Sequence, residues 1–359
     1  MDPVVRQFIV GAARSDAITT MALDVHRELS AVMQSEVYAY HNPEESLTHT
    51  IRSRFELPSG KPDDVFVYHS SYGIPELTRL VRERTEKLVL VYHNITPSDR
   101  YWDYDPDFAA ALDWGRRELE LIRPNVVRAV ADSNYNAGEL IDIGYEEVTV
   151  IPAGVNPYRL NSTLIDAKFN RELTENFPDG FILFVSQSIP HKRVELALEV
   201  VHLLRSVHRM NIGLVVAGPQ RNAKYRNVIN AFRTKLPEAH VLMAGEVTES
   251  MLATLYRRAI LLLGTSDHEG LGNPPLEAMA ESCPVVIRGC GAVPDTVGSG
   301  GIILPPEAGV LELVEATASV INSPDLRLRL IAAGRNRVSQ FIEDGRRVSM
   351  IDVLREVMT

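Results

Sequence analysis

The stretch AILLLGTSDHEGLGNPPLEAMA, residues 259–280, passes from a short apolar run through a loop of glycines and prolines into a segment with helical spacing. A run of this length, followed by a turn and a helix, reads as one βα unit whose strand is buried in a parallel sheet. Asn273 is placed to cap the helix, and the two prolines suit its first turn, where no amide donor is required. Glu277 is then expected in that first turn. Glu269 is expected at the loop entrance, outside the carboxyl end of the strand, where open α/β sheets bind their ligands. Gly270 and Gly272 let the backbone pass close to a ligand and turn its amides outward, while the helix N-terminus favours anions. Carboxylates do not grip phosphate, but they accept hydrogen bonds well from the paired hydroxyls of a sugar.

The same unit recurs in both directions along the chain. QFIV (7–10), EVYAY around Val37, VFVY (65–68), LVLVY (88–92), VVRAVA (126–131) and VTVI (148–151) form one series of strands. After IPAGVNPYRL the pattern loosens into a polar stretch, 161–180. It restarts with FILFV (181–185), IGLVVAG (212–218), HVLMAG around Leu242, AILLLG, PVVI (284–287) and GIILP (301–305). The expected architecture is α/β: a Rossmann-like domain over 1–157, a second over 158–340, and a C-terminal helix over 341–359 that crosses back to the first. Two such parallel-sheet domains in series are expected to face each other across a ligand cleft.

Composition narrows the function classes. A net charge of -10 without any basic run argues against a nucleic-acid binder. ELTRLVRERTEK (76–87) reads as a surface helix with one basic face, in solvent or against a membrane surface. No apolar run is long enough to span a bilayer and the first sixteen residues lack the pattern of a signal peptide, so a cytoplasmic location is expected, with attachment to the inner membrane face left open. The two cysteines, Cys283 and Cys290, form neither a disulfide framework nor a zinc site and read as small core residues.

EGLGNPPLEAMAESCPVV (269–286) resembles the Glu-x7-Glu signature of retaining glycosyltransferases of family four, which have the GT-B fold of two facing Rossmann-like domains. Residues 255–306 follow the order of that family's C-terminal domain, and 126–160 look like its interdomain passage. The resemblance implies that Glu269 contacts hydroxyls of the donor sugar, with the amides of Gly270, Leu271, Gly272 and Asn273 toward sugar and phosphate. It implies that Glu277 holds the ribose hydroxyls of the nucleotide. FVSQSIPHKRVELALEV (184–200) is similar to the segment whose arginine and lysine neutralise the diphosphate. Lys192 matches the lysine, Gln187 stands in the arginine's place, and Arg193 is a second cation for the same charge. Gly218, ending its strand, is counted with the donor site.

In the first half, His93 resembles the family's histidine near the reacting sugar. His69 ends a second strand and reads as a structural or acceptor-side residue. Ser15 and Asp16 either cap the next helix or line the acceptor side. The rings of Tyr101, Trp102 and Tyr104 form either an acceptor-binding wall or the small core of their own loop. The implied reaction moves a sugar from a UDP- or GDP-linked donor to a glycan, lipid-linked or small-molecule acceptor. No metal and no cofactor beyond the nucleotide sugar are expected. Two other readings stay open: a nucleotide-sugar epimerase, and a nucleotide-sugar-binding protein without turnover.

Overall fold

Strands rich in Val, Ile, Leu, Phe and Tyr alternate with amphipathic helices throughout the computed structural model, which describes residues 3–13, 16–152, 156–345 and 348–359. The chain divides into two units. The first holds residues up to 102, 106–155 and the tail from 344; the second holds 103–105 and 156–343.

The first unit contains β1 (Val4–Ile9), α1 (Ala17–Ser30), β2 (Gln34–Ala39), β3 (Ile51–Ser53), β4 (Val65–Ser70), α2 (Pro75–Arg82), β5 (Lys87–Tyr92), α3 (Pro106–Ile122), β6 (Val126–Ala131), α4 (Asn134–Asp142) and β7 (Val148–Val150). The strands form a parallel sheet in the order β3-β2-β1-β4-β5-β6-β7. Strand alternation sorts the core into two faces. Phe8, Phe66, Tyr68, Leu88, Leu90 and Tyr92 pack under α2, α3 and α4. Val5, Val65, Val67, Val89, Val91 and Val130 pack under α1 and the tail.

The second unit contains α5 (Ala167–Asn176), β8 (Phe181–Val185), α6 (Val194–Ser206), β9 (Gly213–Ala217), α7 (Ala223–Lys235), β10 (Val241–Gly245), α8 (Glu249–Arg258), β11 (Leu261–Gly264), α9 (Asn273–Ala280), β12 (Val285–Arg288), α10 (Val293–Val297), β13 (Ile302–Leu304), α11 (Val310–Asn322) and α12 (Pro324–Gly345). Its parallel sheet runs β10-β9-β8-β11-β12-β13. Ile182, Phe184, Leu214, Val216, Leu261 and Leu263 meet the apolar faces of α6, α7 and α11. The final helix, α13 (Met350–Met358), belongs to the first unit, where Met350, Val353 and Leu354 join the valine face of the sheet. No described helix is long and apolar enough to cross a membrane.

The expected strands are present, and one was missed. The three-residue β3, with Arg52 exposed in its middle, gives no apolar run to read and exists by pairing with β2. The cap of α9 also differs from expectation. Gly272, at φ 92°, is the N-cap and Asn273 is the first helical residue. Glu277 consequently lies one residue further into the helix than expected, as its fifth residue, clear of the first turn.

Candidate active site

Strand order in the second sheet reverses between β8 and β11, so the turns that follow these two neighbours flank its switch point. After β8 the chain makes a single 3-10 turn, Pro190–Lys192, and passes through Arg193 in the left-handed region (φ 55°, ψ 49°) before α6 begins. After β11 comes the loop 265–272. The two are stitched together: the Asp267 amide donates to the His191 carbonyl (2.8 Å), and the Thr265 hydroxyl lies 3.0 Å and 2.9 Å from the carbonyls of Lys192 and Arg193.

This stitching brings Lys192 and Glu269 together. Lys192 Nζ lies 2.8 Å from Glu269 Oε1, and the Ser266 hydroxyl donates to the same oxygen at 2.7 Å. Both side chains are mostly buried, at 15% and 16% exposure, where a charge pair is screened less than at the surface. Both bonds fall on Oε1, so Oε2 keeps its acceptor capacity. Behind the pair, the Glu269 carbonyl accepts from the Ala292 amide at 2.9 Å. A Cβ on Gly291, at φ 55°, would meet that carbonyl oxygen at 2.1 Å, so only glycine lets the β12–α10 turn come this close.

Glu277 is held separately from Glu269. Its Oε1 accepts from Arg159 Nε at 2.7 Å and its Oε2 from the Tyr256 hydroxyl at 2.9 Å. A carboxylate offers about four acceptor positions, so two remain for the hydroxyls of a ligand. Arg159 also pairs with Glu249 at 2.9 Å. Neither Arg159 nor Tyr256 was identified from the sequence.

Arg193 does not stand beside Lys192 as a second open cation. Its guanidinium bonds Glu195 at 2.6 Å and Asp267 at 3.1 Å, and the other Asp267 oxygen is taken by Arg288. Burial alone would raise the Asp267 carboxyl, but the two arginines outweigh it and hold the group below its ordinary range. Gln187 is exposed beyond the end of β8. Gly218, at φ 135°, ends β9 where a Cβ would sit 1.9 Å from the Ser186 carbonyl oxygen, so strand packing alone requires glycine there. Cys290 is buried, which lifts its thiol to about 12, with the Glu269 carboxylate acting in the same direction.

In the first unit, His93 Nε2 lies 2.9 Å from His69 Nδ1 and His93 Nδ1 lies 2.9 Å from Asp132 Oδ2, so both of its ring nitrogens are engaged inside the unit. His69 is fully buried and reaches Gln7 at 3.1 Å. Asp16 caps α1, accepting from the Thr19 amide at 2.8 Å; Ser15 lies outside the described residues. Tyr101 is buried with its ring edge-on to Phe108, Trp102 is about half exposed, and Tyr104 sits in the second unit against Tyr225.

Residues 166–337 match the family described as "Glycosyl transferases group 1". The chain is 27% identical over 232 residues to the serotype-specific mannosyltransferase WbdA of Escherichia coli, covering 62% of this chain and 26% of that protein. It therefore spans about a quarter of that relative's length. Against the MMP alpha-(1->4)-mannosyltransferase of Mycolicibacterium hassiacum it is 24% identical over 298 residues, covering 78% of this chain and 67% of the relative. The crystal structure of Anabaena Alr3699/HepE in complex with UDP and glucose matches with a TM-score of 0.74 at 14% identity, over 94% of this chain and 95% of that one. This likeness shows the fold, a GT-B pair of Rossmann-like units. The family match spans 166–337, and Lys192, Glu269 and Glu277 all lie within it.

Proposed function

We propose that the chain, whose residues 166–337 match the group 1 glycosyl transferase family, moves a sugar from a nucleoside diphosphate sugar to an acceptor hydroxyl with retention at the anomeric carbon. The observation that carries this reading is the Lys192–Glu269 pair at the switch point of the second sheet. A cation and a carboxylate adjoining one another suit a ligand with a charged diphosphate next to a sugar rich in hydroxyls. Glu269 receives hydroxyls of the donor sugar, and Lys192 turns to the diphosphate together with the amides of 270–273 and the N-terminus of α9. Glu277 receives the ribose hydroxyls.

The acceptor oxygen attacks the anomeric carbon on the face from which the diphosphate departs. A new carbon–oxygen bond forms as the bond to the β-phosphate oxygen breaks, and that oxygen takes the acceptor's proton. The negative charge left on the diphosphate is met by Lys192 and backbone amides, so no metal ion is required. His93, with both ring nitrogens bonded inside its own unit, is assigned no proton transfer. Two relatives are named as mannosyltransferases, which makes mannose the first sugar to test.

A thermal-shift screen with UDP, GDP, UDP-glucose and GDP-mannose tests the donor site, since a ligand that binds only the folded state raises its apparent stability. One base is expected to raise the melting temperature in the presence of a metal chelator, and Lys192→Ala is expected to blunt the rise. If no nucleotide or nucleotide sugar shifts the transition, the donor assignment fails.

A further inference from the structure

Gln7 on β1, His69 on β4, His93 just past β5 and Asp132 just past β6 stand near the carboxyl ends of four strands that are neighbours in the first sheet. Their side chains form one continuous chain of hydrogen bonds across those strands. Gln7 Oε1 lies 3.1 Å from His69 Nε2, His69 Nδ1 lies 2.9 Å from His93 Nε2, and His93 Nδ1 lies 2.9 Å from Asp132 Oδ2. The two rings are parallel within 4° with centroids 5.1 Å apart, and the contact runs nitrogen to nitrogen.

The direction of the first bond is fixed. The Gln7 amide nitrogen donates to the Ala22 carbonyl at 2.9 Å, so the Gln7 oxygen faces His69 and the hydrogen between them belongs to His69 Nε2. Each of the three contacts needs one hydrogen, and Gln7 supplies none. Two neutral imidazoles and a carboxylate carry only two between them. The chain is therefore complete only with one proton more than these groups hold in their ordinary states at neutral pH.

We infer that this extra proton resides on His93, which is held as an imidazolium between a neutral His69 and the Asp132 carboxylate, with Gln7, His69 and Asp132 acting as its positioning residues. A charge on His69 is costlier, and a proton on Asp132 would leave both rings neutral, the outcome that the spectrum below separates. An imidazolium at His69 would sit in a fully buried position with only an amide oxygen and another ring as partners. Burial drives the His69 pKa well below its ordinary value, and His93 pushes it the same way. Among the described residues Asp132 Oδ1 is buried without a partner, so compensation of the carboxylate rests on the His93 ring. The next charged groups are already paired: Glu139 takes Arg116 at 3.1 Å and the Tyr92 hydroxyl at 2.8 Å, and the Asn94 amide bonds Glu139 and Asn136. In this arrangement His93 offers a fixed positive charge and no free lone pair. The inference concerns the first unit alone and stands whether or not the glycosyltransferase reading holds.

Long-range proton–nitrogen correlation NMR on the full chain with isotope-labelled histidine reads both ring nitrogens directly. Near neutral pH, His93 is expected to be protonated at both nitrogens and His69 at Nε2 only. Asp132→Asn provides an amide that can donate to His93 Nδ1, so the chain closes without the extra proton; the imidazolium signature is expected to vanish from that variant. Two neutral rings in the wild-type chain, or the charge on His69, would overturn the assignment. The wild-type spectrum decides the matter even if the variant fails to fold.

Discussion

Lys192 Nζ and Glu269 Oε1 lie 2.8 Å apart, joining the turns that leave β8 and β11, adjacent strands of the second sheet. The pair neutralises itself, and under the proposed function the lysine is assigned to the diphosphate and the glutamate to the sugar. Lys192→Ala is expected to lower kcat by roughly 100-fold, the usual scale for removing one preorganised electrostatic partner. Glu269→Ala is expected to lower kcat similarly while leaving the Kd for the nucleoside diphosphate nearly unchanged. Steady-state kinetics alongside calorimetric binding separates the two. Full turnover in Lys192→Ala would remove the phosphate role.

Glu277 keeps two acceptor positions while bonded to Arg159 and Tyr256. Glu277→Ala is expected to weaken nucleoside diphosphate binding about 10- to 100-fold, the loss of one or two charge-assisted hydrogen bonds. Tyr256→Phe removes one of the carboxylate's supports and is expected to give a smaller loss in the same direction. If titration calorimetry finds the Glu277→Ala affinity unchanged, the ribose contact is elsewhere.

Asp267 is 8% exposed and bridges Arg193 to Arg288, itself 9% exposed. Asp267→Ala leaves the buried guanidinium of Arg288 without its carboxylate and is expected to cost about 3 kcal/mol of stability. The same change releases Arg193, just past the Pro190–Lys192 turn, from one of its two carboxylates, so turnover should fall beyond what unfolding explains. Chemical denaturation gives the first number, and activity well below the transition gives the second. Unchanged stability would mean that the two arginines find other partners.

Glu118 is fully buried on α3, where the Tyr68 hydroxyl reaches it at 2.6 Å and Thr78 contacts its other oxygen. Trp114 donates to the same Thr78 hydroxyl at 2.8 Å, which leaves room for a protonated Glu118 to donate to it as well. Burial lifts the Glu118 carboxyl from 4.5 to about 7. The folded state then holds a proton that the unfolded chain has lost, so this contribution is complete below about pH 4.5 and is lost as the pH rises through about 7. Across that window it amounts to about 3 kcal/mol. Glu118→Gln retains both bonds without the charge, so the wild-type chain is expected to lose stability relative to the variant as pH rises. Urea denaturation of both proteins through this range measures the difference, and parallel curves would show that Glu118 does not titrate there.

The second sheet was legible because a strand buried on both faces leaves a short continuous apolar run, and FILFV or AILLLG admits few other readings. The places of Glu269 and Lys192 in the chain are local for a related reason: Glu269 lies five residues after β11 and Lys192 seven after β8. Their mutual contact was not legible, nor was the grip of Arg159 on Glu277 from 118 residues away, since these depend on which strands become neighbours. The offset at α9 is a backbone effect. Gly272 adopts the left-handed conformation and takes the cap that an asparagine side chain would ordinarily supply. The Gln7–His69–His93–Asp132 chain shows the same limit, because each member sits near the end of a different strand and nothing in sequence spacing marks it.

The most direct measurement of the proposed activity is product analysis of the purified chain given a nucleotide sugar and a panel of hydroxyl acceptors. Release of free nucleoside diphosphate is expected only when acceptor is present, with the new glycosidic bond in the donor's anomeric configuration and no loss of rate in a metal chelator. An altered nucleotide sugar with no nucleotide released would indicate an epimerase. Tight donor binding without any product, or a product of inverted configuration, would equally contradict retaining transfer.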